Sequence, residues 1–298
     1  MSGTALRTIS ASLLLLAGAT SPAPGAEVKE SVTAKNITSV KFQSESLGQE
    51  RAFNILLPLD YESSTSRYPV LYLLHGYGDD NTAWSYMTNL SGNAARHRLI
   101  VVMPDASKSW YVNGVADPKA RFEDYIMKDL ITYVDSHYRT VPLPRARAVA
   151  GLSMGGFGAA FLGLKHYRTF TAMGLFSGAL SIAHDVPAKN PHETEEDRRF
   201  QQELAGVLGP PGSPERQQRD PLALLEKVPP AEMPMIYIAC GGQDFLLGQN
   251  HEFVQLLAEK KIPYEYREIS PRVHSWDFWD DQVSVFLDLL DKRAGFAE

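Results

Sequence analysis

The feature that most restricts this chain is Gly151-Leu152-Ser153-Met154-Gly155-Gly156, which sits between two unlike runs. Residues 146–150 read as a short strand, and residues 156–163 as a helix of small residues. A chain that passes from strand to helix across one serine must turn sharply there. Small residues two before and two after Ser153 let neighbouring chains approach that turn. A strand that leads at once into a helix belongs in a layered α/β architecture.

The rest of the chain fits that frame. Residues 37–47 and 51–57 alternate around Gly48-Gln49, as in an antiparallel hairpin. Residues 69–74 and 99–103 are continuous apolar runs, as expected of strands buried on both faces. Residues 122–138 carry Tyr125, Ile126, Leu130, Ile131 and Val134 on one helical stripe. Further strands are predicted over 170–176, 235–239 and 264–269, with amphipathic helices over 249–260 and 276–290. Strands alternating with helices predict a mostly parallel sheet with helices on both faces. Residues 183–232 break the pattern. They are polar and Pro-rich, with the charge run Glu193-Thr194-Glu195-Glu196-Asp197-Arg198-Arg199. This insertion reads either as a long solvated loop with one or two helices or as a lid over the sheet's carboxyl edge.

Residues 1–26 read as a signal peptide. Arg7 gives a small positive start, residues 9–19 are apolar, and Ala17-Gly18-Ala19 and Ala26 offer cleavage points. The run is too short to span a bilayer, so no stable membrane insertion is expected. Residues 27–298 then form a single domain, exported to the periplasm or outside the cell. The one cysteine, Cys240, cannot form an intramolecular disulfide, and it follows an apolar strand-like run. It reads as a core residue. With a net charge of -6, nothing suggests a nucleic-acid partner, which would need a basic face. With no Walker pattern, no complete dinucleotide fingerprint and no second His after His192-Glu193, no metal and no cofactor is expected.

A serine hydroxyl needs a base to act as a nucleophile at neutral pH. In an α/β-hydrolase fold the chain order is Ser, acid, His. Beyond the helix that Ser153 opens, four histidines follow in later elements: His184 and His192 in the insertion, His251 on a helix, and His274 between the last strand and the last helix. The last is where the base belongs. The acid is expected after the strand at 235–239, where Gly241-Gly242-Gln243-Asp244 makes a turn; Asp277 is the rival, with a helix-end charge as its bland role. Two backbone N–H groups are needed for an oxyanion. Met154, after the serine, offers one. The glycine-containing loop His75-Gly76-Tyr77-Gly78-Asp79-Asp80 offers the other, at Tyr77, with His75 as a structural anchor.

From residue 37 to residue 290 the chain resembles the esterase family that includes esterase D (S-formylglutathione hydrolase), feruloyl esterases and the antigen 85 mycolyltransferases. The motifs are Tyr72-Leu73-Leu74-His75-Gly76, Asn81-x-x-Trp84, Val102-Met103-Pro104-Asp105, Ser109-Trp110-Tyr111, Phe122-Glu123-Asp124-Tyr125-Ile126, Gly151-Leu152-Ser153-Met154-Gly155-Gly156, Gly241-x-x-Asp244 and His274-x-Trp276-x-x-Trp279. The resemblance implies hydrolysis of a small-molecule or carbohydrate ester through Ser153, Asp244 and His274. Acyl transfer to a sugar hydroxyl would use the same residues. A non-catalytic binding protein on the same scaffold is the reading from another class. The oligomeric state is open.

Overall fold

The computed structural model describes residues 36–184 and 194–296. The signal-like segment 1–26 and His192 lie outside the described residues.

The strand-like runs assemble into one eight-stranded sheet of order β1-β2-β4-β3-β5-β6-β7-β8. Strands β1 (Ile37–Ser44) and β2 (Gln49–Leu56) form the expected hairpin, with Ile37 opposite Leu56 and Ser44 opposite Gln49. Its turn uses Gly48 at φ +63°, a left-handed conformation that suits glycine. Strand β2 runs antiparallel to β4 (Ile100–Pro104). From there the sheet is parallel through β3 (Val70–Leu74), β5 (Arg147–Leu152), β6 (Ala172–Phe176), β7 (Met235–Gly241) and β8 (Glu265–Ile269).

Alternation along the central strands divides the core in two. In β3, Val70, Tyr72 and Leu74 face one apolar cluster, and Leu71 and Leu73 face the other. The first cluster is covered by the helical segment α3 (Phe122–Asp124), π-turn (Tyr125–Leu130) and α4 (Ile131–His137), by α5 (Met154–Lys165) and by α9 (Leu247–Glu259). The second is covered by α1 (Ala83–Met87), α2 (Leu90–Ala94) and α10 (Trp276–Arg293). A strand buried on both faces has no polar side to display, which is why these runs read as unbroken apolar sequence.

The insertion is more ordered than its polarity suggests. Its described part holds α6 (Glu195–Leu208), α7 (Pro214–Gln217) and α8 (Pro221–Leu225), three helices where one or two were expected. From Thr194 to Arg199 the charge run is the start of α6; Glu193 lies outside the described residues. Thr194 and Asp197 cap it reciprocally, and three acids occupy its first turn, where the helix dipole favours them. Leu204, Leu208, Leu222 and Leu225 are buried. The buried Arg216 guanidinium donates to the carbonyls of Ile182, Ala183 and Gly209, tying the start of the insertion to the end of α6.

The junction of β5 and α5 leaves no room for side chains. A Cβ on Gly151 would lie 2.5 Å from the backbone of Gly155, and a Cβ on Gly155 would lie 2.5 Å from the carbonyl oxygen of Leu74. Both obstacles are backbone, which cannot rotate away. Gly155→Ala is therefore expected to cost about 3 kcal/mol, at the upper end of ordinary overpacking. That would lower Tm by roughly 6–12 °C in a domain of this size. A calorimetric scan of both proteins checks it, and an unchanged Tm would mean the junction is looser than described.

Candidate active site

Ser153 is the single residue between β5 and α5, with φ +53° and ψ -115°. A side-chain-bearing residue at positive φ is strained, at a cost of roughly 1–3 kcal/mol. Three backbone hydrogen bonds hold it there. Ser153 N–H donates to Phe176 O at 3.0 Å, and its carbonyl accepts from Phe157 N–H at 3.1 Å and Ala179 N–H at 3.2 Å. The turn lifts the serine to the carboxyl end of the parallel strands.

His274 follows β8 and precedes α10, and Asp244 follows β7. The two meet: His274 Nδ1 lies 2.9 Å from Asp244 Oδ2 and 3.1 Å from Oδ1. An ionised carboxylate only accepts, so Nδ1 carries the proton and Nε2 is left as an acceptor. The Asp244 side chain is fully buried, and its Oδ1 also accepts from Leu246 N–H at 2.8 Å. The imidazole is wedged between Phe245, 4.5 Å away between ring centroids, and the edge of Trp279 at 4.8 Å. Trp279 is in turn anchored by its Nε1–H on Ser177 Oγ at 3.1 Å.

The loop after β3 closes the other side. A Cβ on Gly76 would stand 2.7 Å from Leu152 Cδ1 and 2.9 Å from Asp79 Oδ2, with Ser153 Cβ in ordinary contact at 3.8 Å, so a side chain here would crowd its neighbours beside the serine. Met154 opens α5, where an N–H has no partner within the helix. Tyr77 N–H donates to no backbone carbonyl among the described residues. His75 pins the loop. Its Nε2 accepts from Ala106 N–H at 3.0 Å, so Nδ1 must hold the proton it shares with Gly76 O at 2.7 Å. Burial holds this imidazole's pKa below its ordinary value of 6.5. Tyr111, at φ +60°, donates its hydroxyl to His75 O at 2.9 Å.

Ser153 and His274 open on one cavity of about 340 Å³. Two aromatic groups flank it. Tyr77, Trp110 and Phe200 pack together, with Tyr77 and Phe200 at 5.6 Å. Phe245 and Trp279 flank His274, and Trp276 packs on Trp279 behind it. A larger cleft of about 690 Å³ lies between the insertion and α9, but neither Ser153 nor His274 lines it.

The remaining candidates lie elsewhere. Cys240 is buried, and burial pushes its thiol pKa well up. His251 pairs with Glu268 on the exposed surface, and His184 pairs with Asp220 in the larger cleft. Asp277 is exposed and bonded to Arg272 and Ser275, away from the His274 ring. Among the described residues, no cluster of three or more His, Cys, Asp or Glu is placed to hold a metal ion. The sequence reading did not single out Phe200 or Asp79, both of which line the cavity. Phe200, Leu204 and Leu208 recur every fourth residue, a helical stripe that marks Phe200 as inward-facing. Nothing local marks Asp79.

The chain belongs to the family described as "Putative esterase", whose model matches residues 44–288. Over 268 residues it is 27% identical to an acetyl esterase of Caldicellulosiruptor saccharolyticus, covering 86% of this chain and 98% of that one. A ferulic acid esterase structure superposes with a TM-score of 0.71 at 26% identity, covering 86% of this chain and 97% of that one. FphF, a fluorophosphonate-binding serine hydrolase of Staphylococcus aureus, superposes with a TM-score of 0.72 at 23% identity, over 85% of this chain and 97% of that one, and shares the fold. The fold is that of the α/β-hydrolase esterases, and the protein is a carboxylic ester hydrolase.

His75 gives the site a pH signature. The folded chain keeps this imidazole neutral below 6.5, while the unfolded chain takes up a proton there. Its contribution to stability is present above about pH 6.5 and is lost as pH falls below it. Tm measured from pH 7.5 to pH 5 should decline less steeply in His75→Gln than in the unaltered protein. Parallel slopes would contradict a buried neutral His75.

Proposed function

We propose that this esterase works through an acyl-enzyme on Ser153, with His274 as base and Asp244 as the acid that orients it. The observation that carries this reading is the pairing of His274 Nδ1 with a fully buried carboxylate, in a ring that shares its cavity with a strained serine. Ser153 Oγ attacks the ester carbonyl and passes its proton to His274 Nε2. The imidazolium is stabilised by Asp244. Negative charge on the carbonyl oxygen is met by the N–H groups of Met154 and Tyr77. His274 returns the proton to the departing alkoxide, so the alcohol part of the substrate sits on the His274 side. Water then repeats the cycle in reverse and frees the acid. The cavity takes a small or carbohydrate-linked acyl ester, and the insertion supplies one wall of it through Phe200.

Ser153→Ala should lower kcat by on the order of 10⁶ while the protein stays folded. Asp244→Asn keeps the shape but loses the charge that holds the tautomer, with a fall on the order of 10⁴. Asp277→Asn, on an exposed ion pair, should leave kcat within about twofold. One activated ester assayed against all three decides the assignment; an inactive Asp277→Asn with an active Asp244→Asn would overturn it.

We also propose that residues 1–26 direct export. No helix among the described residues is long and apolar enough to cross a membrane. The N-terminal residue of protein from its native host should lie near Ala26 or Glu27, or just after Ala19. Recovery of cytosolic protein that begins at Met1 would refute export.

A further inference from the structure

Asp79 lines the same cavity as Ser153 and His274, and it is the one carboxylate among the described residues that do so. The mechanism above does not use it. Its position is fixed by the turn that carries Tyr77: Asp79 N–H donates to Gly76 O at 3.3 Å, and its carboxylate faces back to the Gly76 N–H. Its Oδ2 lies 2.9 Å from where a Cβ on Gly76 would be, beside the backbone that passes over Ser153.

The groups that chiefly set the ionisation of Asp79 are His75, the Gly76 N–H, Asp80 and His274, with no lysine or arginine among them. Burial is the largest influence and pushes its carboxyl above the ordinary carboxylate range. Asp80 beside it is exposed and adds a second negative charge, directed at Thr82. Glu203 adds a third near the Tyr77 hydroxyl. Against these stands Lys108, over the outer face of the Tyr77 ring at 4.6 Å. The acids near this part of the cavity outnumber the one lysine, and of the four groups only Asp79 lines the cavity itself. Asp79 and His274 line one cavity, so the carboxylate faces the space into which His274 would release the alcohol.

We propose that Asp79 is a specificity-determining residue that selects esters whose alcohol part is uncharged, and excludes those whose alcohol part is anionic. The proposal rests on the assignment of Ser153 and His274 above. Like charges a few ångströms apart at the edge of a protein repel, and partial exposure and salt reduce this. The expected effect is about tenfold in relative kcat/KM. A carboxylate oxygen is also an acceptor, so a hydroxyl-rich alcohol such as a sugar can donate to it.

The test uses two esters with the same acyl group, 4-acetoxybenzoate and 4-acetoxybenzamide, whose alcohol parts differ by one negative charge. The ratio of kcat/KM, amide over acid, is measured for the unaltered enzyme and for Asp79→Asn. The ratio should fall about tenfold in Asp79→Asn. Asp79→Glu keeps the charge and should keep most of the ratio. Asp79→Ser repeats the neutralisation should the amide disturb the turn at Gly76. A ratio unchanged in both neutral variants would overturn the proposal, as would a ratio lost equally in Asp79→Glu and Asp79→Asn. Ser153→Ala on the same two esters tests the catalytic assignment separately: activity surviving there would sink the nucleophile whatever Asp79 does.

Discussion

One residue has to sit in the wrong half of conformational space for the site to exist. Ser153 joins a strand to a helix with no intervening loop, at φ +53°. Three hydrogen bonds from β6, α5 and the segment after β6 pin its backbone, and two glycines beside it vacate the volume its neighbours need. A strained residue persists only where surrounding structure over-determines it. Here that structure is the centre of a parallel sheet buried on both faces. The core thus does more than stabilise the domain; it supplies the stiffness that keeps a serine hydroxyl aimed at a cavity. The loop carrying Tyr77 and the turn carrying Asp244 gather at the same edge because parallel strands place all their carboxyl ends together.

Much of this was legible before any coordinates. Strands buried on both faces leave unbroken apolar runs, and β3, β4 and β7 announce themselves that way. The doublet Gly241-Gly242 before Asp244, and the place of His274 between the last strand and the last helix, point to the pair that the fold brings within hydrogen-bonding distance. The same reasoning put Cys240 in the core and gave His75 an anchoring role, and both are buried. These inferences work because each depends on local chain geometry: a turn, a register, a period.

What was not legible depends on contacts between distant segments. The run from Glu193 to Arg199 looks like a solvated stretch because charge dominates it, yet from Thr194 onward it is the capped beginning of α6. Phe200 is a single aromatic in that polar setting. Its role appears only when α6 lies across Tyr77 and Trp110. Asp79 is harder still. It sits in a Gly- and Asp-rich turn where an acid is ordinary, and only the closeness of Ser153 and His274 makes its charge matter.

Arg216 carries a consequence beyond stability. Its guanidinium joins the carbonyls of Ile182 and Ala183 on one side to that of Gly209 on the other. Both roots of the excursion that delivers Phe200 are thereby tied at a single buried cation. Loop-closure entropy grows only slowly with length, so an excursion with fixed roots can vary in size and composition at little cost to the sheet. The scaffold is in that sense modular. The wall that Phe200 adds to the cavity is attached apart from the strands that carry Ser153, Asp244 and His274, so its variation need not disturb them.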